Sequence, residues 1–229
     1  MDKYSALQKI IGIKFKNSDL LNTVFMHRSY VNEHKNVKEH NERLEFLGDA
    51  VLELAVTEFL YKKYPSRTEG TLTDLRSALV KGPHLADISR ELDLGKYLYL
   101  SHGEEIGGGR GKPYILANTL EALIGAIYID KGYKEAHKFT EKFILKRLNE
   151  IIGKGLHIDS KSLLQEITQE KELCIPLYKV ISASGPDHAK YYKVGVYLKD
   201  EFLAEGSGPS KQRAEQEAAA KALKKKGWN

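Results

Sequence analysis

Apolar positions recur every three or four residues through the first two thirds of the chain. This spacing predicts helices over residues 4–11, 18–30, 42–64, 71–92, 113–129 and 133–152. Gly12, Pro65-Ser66, Gly70, Gly82-Pro83 and Gly132 punctuate them. No period-two run of strand length interrupts this region, so residues 1–152 read as an all-α domain. Gly153 and Gly155 then end the helical periodicity, and residues 153–158 read as a linker. Beyond it the texture changes. Residues 159–173 suit a helix capped by Asp159 or Ser160, and residues 177–184, 190–199 and 201–205 read as strands. Gly185-Pro186-Asp187-His188 and Lys199-Asp200 supply the turns between them. A last helix over 209–226 carries Ala214, Ala218, Ala222 and Leu223 as a narrow face suited to a sheet. The order αβββα defines a second, small α+β domain over 159–229.

Within the first domain, residues 42–64 have two chemically distinct sides. At 100° per residue, Glu42, Glu45, Asp49 and Glu53 fall within an arc of roughly 80°, with Leu44, Leu47, Val51, Leu54 and Ala55 opposite. A solvated acidic face would account for the carboxylates. It would not account for Phe46 on the same side, nor for like charges one turn apart with only Arg43 close by to offset them. A divalent cation and a partner surface would account for both. Glu121 is the only charged residue between Lys112 and Asp130. An isolated carboxylate there needs a partner, either a buried arginine or a metal, or else takes up a proton. Asn118, one turn earlier, offers a second oxygen on the same side. Two such donors facing Glu45 and Asp49 would make a hard-cation site for Mg²⁺ or Mn²⁺, suited to phosphodiester hydrolysis. Gly107-Gly108-Gly109-Arg110-Gly111-Lys112-Pro113 matches neither phosphate-binding glycine pattern, and reads as a mobile connector.

Composition narrows the class. A chain of 229 residues, 41% hydrophobic and 29% charged, is long enough for two modest domains and is neither disordered nor membrane-embedded. The least charged stretch, residues 113–129, carries Glu121 and Asn118 and suits a buried helix better than a membrane span. Cys174 is the sole cysteine, no His/Cys spacing suits zinc, and no export signal opens the sequence, so a cytoplasmic location is expected. The net charge is +5, and residues 210–229 hold six basic against two acidic side chains. Most of the excess therefore sits in the final helix, which points to a polyanion there.

The run His40-Asn41-Glu42-Arg43-Leu44-Glu45-Phe46-Leu47-Gly48-Asp49-Ala50-Val51-Leu52 resembles the signature of the ribonuclease III family. His27-Arg28-Ser29, Glu69-Gly70, Leu75-Arg76, the Glu104 region and Glu121-Ala122-Leu123-Ile124-Gly125-Ala126 stand in that family's order. The likeness is to the compact bacterial enzymes, with one nuclease domain and one double-stranded RNA-binding domain. It implies a homodimer that cuts double-stranded RNA with Mg²⁺, leaving staggered 5′-phosphate ends, and that processes ribosomal and messenger RNA precursors. It further implies Glu45, Asp49 and Glu121 as core metal ligands, with Asp49 and Glu121 catalytic, Glu42 and Glu69 as secondary acidic residues, and Phe46 as a dimer contact. Asn118 departs from the aspartate usual in the family, which removes one negative charge from the site.

The tail resembles a double-stranded RNA-binding domain in Lys161-Ser162-Leu163-Leu164-Gln165-Glu166, in Gly185-Pro186-Asp187-His188 and in Ser210-Lys211-Gln212-Arg213-Ala214-Glu215-Gln216. Ser162, Gln165, Glu166, Gln169, His188, Ser210, Lys211, Gln212 and Arg213 are the candidate RNA contacts, reading duplex shape more than sequence. Two other functions stay open on these residues: a non-catalytic duplex-RNA-binding or ribosome-associated protein weakened by Asn118, and a phosphohydrolase of small molecules, which would leave the basic tail without a role.

Overall fold

The computed structural model describes residues 3–155, 159–186 and 189–228. The chain divides into two compact units, Met1–His157 and Ile158–Asn229. The first contains α1 (Ser5–Ile11), α2 (Ser18–Val24), α3 (Arg28–Glu33), α4 (Glu42–Lys63), α5 (Glu69–Val80), α6 (Gly82–Glu91), α7 (His102–Ile106), α8 (Pro113–Lys131), α9 (Tyr133–Phe143) and α10 (Leu148–Gly153). The second contains α11 (Ser160–Glu172), β1 (Leu177–Ser184), β2 (Tyr191–Leu198), β3 (Glu201–Gly208) and α12 (Lys211–Lys226). No helix of the described residues is long and apolar enough to cross a membrane.

Three expected helices are each divided, for local reasons. Residues 18–30 break because His27 adopts an extended conformation and its imidazole accepts the Ser29 amide, capping a new helix. The freed Met26 forms a parallel bridge to Tyr99. Residues 71–92 break at Lys81, extended at ψ 142° ahead of Gly82-Pro83, where it ends α5 and starts α6. Residues 133–152 break at Ile144 into a short 3₁₀ turn, Leu145–Arg147, with no glycine or proline to force it. The bend keeps Ile144, Leu145, Leu148 and Ile151 all buried.

α8 is the hub of the first unit. Ile115, Leu116, Leu120, Leu123, Ile124 and Ile127 are all buried, so it is apolar almost all round and packed on several sides. Its crossing with α4 is close enough to be a backbone contact. A Cβ placed on Gly48 would lie 1.8 Å from the carbonyl oxygen of Glu121, and one on Gly125 would lie 2.2 Å from that of Leu44. Leu44 thus faces Gly125 while Gly48 faces Glu121, so the two helices run in opposite directions at the contact. The sequence supplies glycine at both positions because no side chain fits.

The glycine loop before α8 is tied down, contrary to the mobile connector expected from its composition. Arg110 donates to the carbonyls of Gly95 and Leu98, each at 2.9 Å, and to Glu105 at 2.5 Å. Lys112, at the start of α8, pairs with Glu104 at 2.5 Å. Sequence alone shows flexible residues here but not the arginine that fastens them.

In the second unit the three strands form an antiparallel sheet in the order β1-β2-β3. α12 lies close on it: a Cβ on Gly206 would come within 2.2 Å of the Ala218 amide nitrogen, which is why Ala214, Ala218, Ala219 and Ala222 face the sheet. Leu164, Val196, Leu198, Leu203 and Leu223 complete this separate core. Lys199, with φ 54°, makes the tight β2–β3 turn. The expected linker residues Leu156-His157-Ile158 and turn residues Asp187-His188 lie outside the described residues.

Candidate active site

The α4–α8 crossing sets the chemistry, because the glycines that bring the backbones together alternate with the acidic residues. Glu45 and Asp49 flank Gly48 on α4, and Glu121 stands one turn from Gly125 on α8. The Asn118 side chain hydrogen-bonds to the half-buried Glu45 carboxylate. Burial raises the pKa of Glu45, the Asn118 bond opposes that rise, and the charges of Glu42 and Asp49 add to it. Glu121 is more strongly perturbed: burial first, then the charges of Asp49 and Glu45, push it up to about 8. Among the described residues no lysine or arginine pairs with Glu45, Asp49 or Glu121. The alternative of a structural Glu121 bonded to a buried arginine is therefore not what the fold provides.

The donor set is three carboxylates and one amide oxygen, all hard ligands. As the side chains stand, no group of three His, Cys, Asp or Glu among the described residues could hold an ion by itself. Asn118 adds an amide oxygen beside Glu45. A half-buried carboxylate with two acidic neighbours and no counter-charge fits a divalent cation, which would offset the burial penalty and the added repulsion that push the pKa of Glu121 up to about 8.

The other expected residues are more scattered. Glu42 is exposed, 3.6 Å from Arg28 and 3.7 Å from the His40 imidazole. Glu69, in the first turn of α5, accepts a hydrogen bond from Thr73 and borders a cleft near the far end of α4, away from the crossing. Phe46 is 82% exposed, and Leu20, Leu47 and Ile129 line a cleft of about 910 Å³ beside it. In the second unit Ser162, Gln165, Glu166 and Gln169 are exposed on α11, opposite buried Leu164 and Thr168. The Ser210 hydroxyl accepts the Arg213 amide at 3.2 Å, so its contribution is to cap α12, beside exposed Lys211, Gln212 and Arg213. His188 lies outside the described residues. Sequence reasoning passed over the cleft formed by Lys190, Tyr191, Tyr192, Pro209, Ser210 and Lys211, about 430 Å³. The alternation of basic and aromatic residues in Lys190-Tyr191-Tyr192-Lys193 was the available signal.

An all-α unit with acidic side chains gathered at the α4–α8 crossing, followed by an αβββα unit with a basic helix start, has the make-up of a nuclease joined to a duplex-RNA-binding module. Known proteins agree. Residues 17–148 match the family model described as Ribonuclease-III-like, and residues 160–226 match the double-stranded RNA binding motif. Ribonuclease 3 of Bacillus licheniformis is 45% identical over 226 residues, covering 98% of this chain and 90% of that protein. Ribonuclease 3 of Borreliella burgdorferi is 44% identical, covering 97% and 92%. The crystal structure of the ribonuclease III nuclease domain from Campylobacter jejuni superposes with a TM-score of 0.59 at 40% identity, over 64% of this chain and 96% of that one. A second structure of that domain is described as flexible in the region involved in dimer formation, with the same TM-score. The chain belongs to the ribonuclease III family, whose members are endonucleases of double-stranded RNA.

Proposed function

We propose that this protein hydrolyses phosphodiester bonds in double-stranded RNA with Mg²⁺, or Mn²⁺ in its place, as a cytoplasmic homodimer that processes ribosomal and messenger RNA precursors. The observation that carries the reading is Glu121, half-buried beside Asp49 and Glu45 with no cationic partner among the described residues. Glu45, Asp49, Asn118 and Glu121 would hold the ion, which when bound would neutralise charge on the phosphate and acidify the attacking water. Asp49 and Glu121 are assigned as the catalytic carboxylates. Asn118 orients Glu45 through their hydrogen bond, and the close α4–α8 crossing fixes the spacing of the set. One strand is cut at each of two symmetry-related sites, leaving staggered ends with 5′-phosphates. Residues 159–229, joined through 153–158, grip the duplex with the exposed α11 residues and the start of α12, where free backbone amides and Lys211 and Arg213 meet phosphate.

Asn118 gives this site one charge fewer than an aspartate would. Asn118→Asp is expected to tighten Mg²⁺ binding, measured by calorimetry, and to lower the Mg²⁺ concentration for half-maximal cleavage by about three- to tenfold, about one kcal/mol. An unchanged or weaker affinity would show that residue 118 does not limit the site.

Phe46 leaves a large apolar side chain in water beside a cleft with Leu20, Leu47 and Ile129 in its wall, the arrangement a two-fold partner would cover. Phe46→Asp is expected to halve the mass seen by light scattering and to weaken cleavage, with the helical circular dichroism kept. A dimer that persists would assign the contact to other residues.

A further inference from the structure

The nuclease unit has a cleft that the proposed chemistry leaves unused. It is formed where α4 ends and α5 begins, holds about 370 Å³, and has Leu60 and Leu72 in its wall beside Thr57 and Tyr61 of α4, Arg67, and Glu69, Thr73 and Arg76 of α5. Both arginines are half-buried and oriented. The Arg67 guanidinium lies 4.4 Å from the centre of the Tyr64 ring, and Arg76 donates to the Thr57 hydroxyl at 3.1 Å. Among the described residues neither has an acidic partner, although Glu69 shares the cleft. Arg28, Arg90, Arg110 and Arg147 are all ion-paired. Instead Glu69 is held by the Thr73 hydroxyl at 3.1 Å.

Such a cleft asks for two things at once. A guanidinium has five N–H donors in a planar fork suited to phosphate, and most of those on Arg67 and Arg76 are unmet. An ionised Glu69 accepts only, so the ligand must also bring a hydroxyl donor next to its anion. A ribose-phosphate unit has both, the phosphodiester and the 2′-hydroxyl, whereas a deoxyribose-phosphate lacks the second. Tyr61, 73% exposed at the rim, adds a flat surface for a sugar. Thr57 lies eight residues beyond Asp49 on α4, about 12 Å further along the same helix, a separation that one RNA duplex spans.

We propose that this cleft is a backbone-gripping subsite, in which Arg67 and Arg76 hold one phosphate of the RNA away from the cut and Glu69 accepts a hydrogen bond from the neighbouring 2′-hydroxyl. The proposal rests on the double-stranded RNA reading of the carboxylate site. It gives Glu69 a role in telling RNA from DNA.

The test is duplex-RNA binding by the full-length protein in a Glu121→Gln background, as a function of salt. Arg67→Gln with Arg76→Gln is expected to make the slope of log affinity against log salt shallower by about one, the value for one lost phosphate contact. Affinity at 150 mM salt should fall about tenfold. Because Arg76 also holds Thr57, Arg67→Gln alone repeats the measurement with little risk to folding, and thermal melting checks both variants. In parallel, single 2′-deoxynucleotides are stepped along each strand. One position should weaken the parent about fivefold and leave Glu69→Ala unaffected. An unchanged slope in folded variants, or a deoxy profile that ignores Glu69, overturns the proposal. A parent that does not bind duplex RNA at all overturns the underlying reading, and the subsite with it.

Discussion

Gly48→Ala is expected to destabilise the nuclease unit by about 3 kcal/mol or more and to abolish cleavage. The added methyl would sit 1.8 Å from the carbonyl oxygen of Glu121 and 2.9 Å from the Gly125 nitrogen. Both are backbone atoms on the central helix of the unit, so no rotamer change relieves the clash and α4 and α8 must separate. Overpacking of ordinary cores costs about 1 to 3 kcal/mol, and a backbone clash belongs at or above the upper end. For a unit of this size that is a fall of about 10 °C in melting temperature. Gly70→Ala is the matched control. It lies in the first turn of α5 with open space around it, and should be neutral or stabilising by up to about 1 kcal/mol. Equal effects from the two substitutions would mean that the α4–α8 contact is looser than the structure has it.

Glu121→Gln is expected to remove activity and add stability, in a way that depends on pH. Loss of the carboxylate should cut the cleavage rate by at least about a thousandfold, with RNA binding retained. Stability follows from linkage. The folded pKa of about 8 lies above the ordinary carboxylate value of 4.5, so between those limits the folded state holds the proton more firmly than the unfolded state. Stability from this group is therefore complete below the lower value and is lost as pH rises through the window. Above it the wild type carries the cost of a half-buried negative charge beside two other carboxylates, which glutamine does not. In chelator, denaturant unfolding should find the variant more stable by about 1 to 3 kcal/mol at pH 8.5 and nearly equal at pH 4.5. The same difference at both values would mean that Glu121 is not perturbed in the folded protein.

Much of this was legible in the sequence because it depended on local pattern. The α4 periodicity separated Glu45 and Asp49 from Leu44 and Val51, and Phe46 announced itself by standing on the wrong side. The αβββα order could be read from alternation and turn residues alone. What could not be read was contact between distant segments. Gly48 and Gly125 look like ordinary helix interruptions until each is found against the other helix's backbone. Arg110 looks like part of a flexible run until its carbonyl partners in residues 95–98 are known. Glu69 could be named only as a secondary acidic residue, because the sequence does not show that α5 brings it into one cleft with Arg67 and Arg76. His27 broke an expected helix because an imidazole capped the Ser29 amide, a role that periodicity does not register.

The most direct test of the central claim is a cleavage assay on a long RNA duplex with Mg²⁺, run beside binding on the same substrate. The account predicts short staggered products with 5′-phosphates from the wild type, none after chelation or in Glu121→Gln, and undiminished binding by that variant. Tight duplex binding by the wild type with no cleavage at any Mg²⁺ or Mn²⁺ concentration would contradict it.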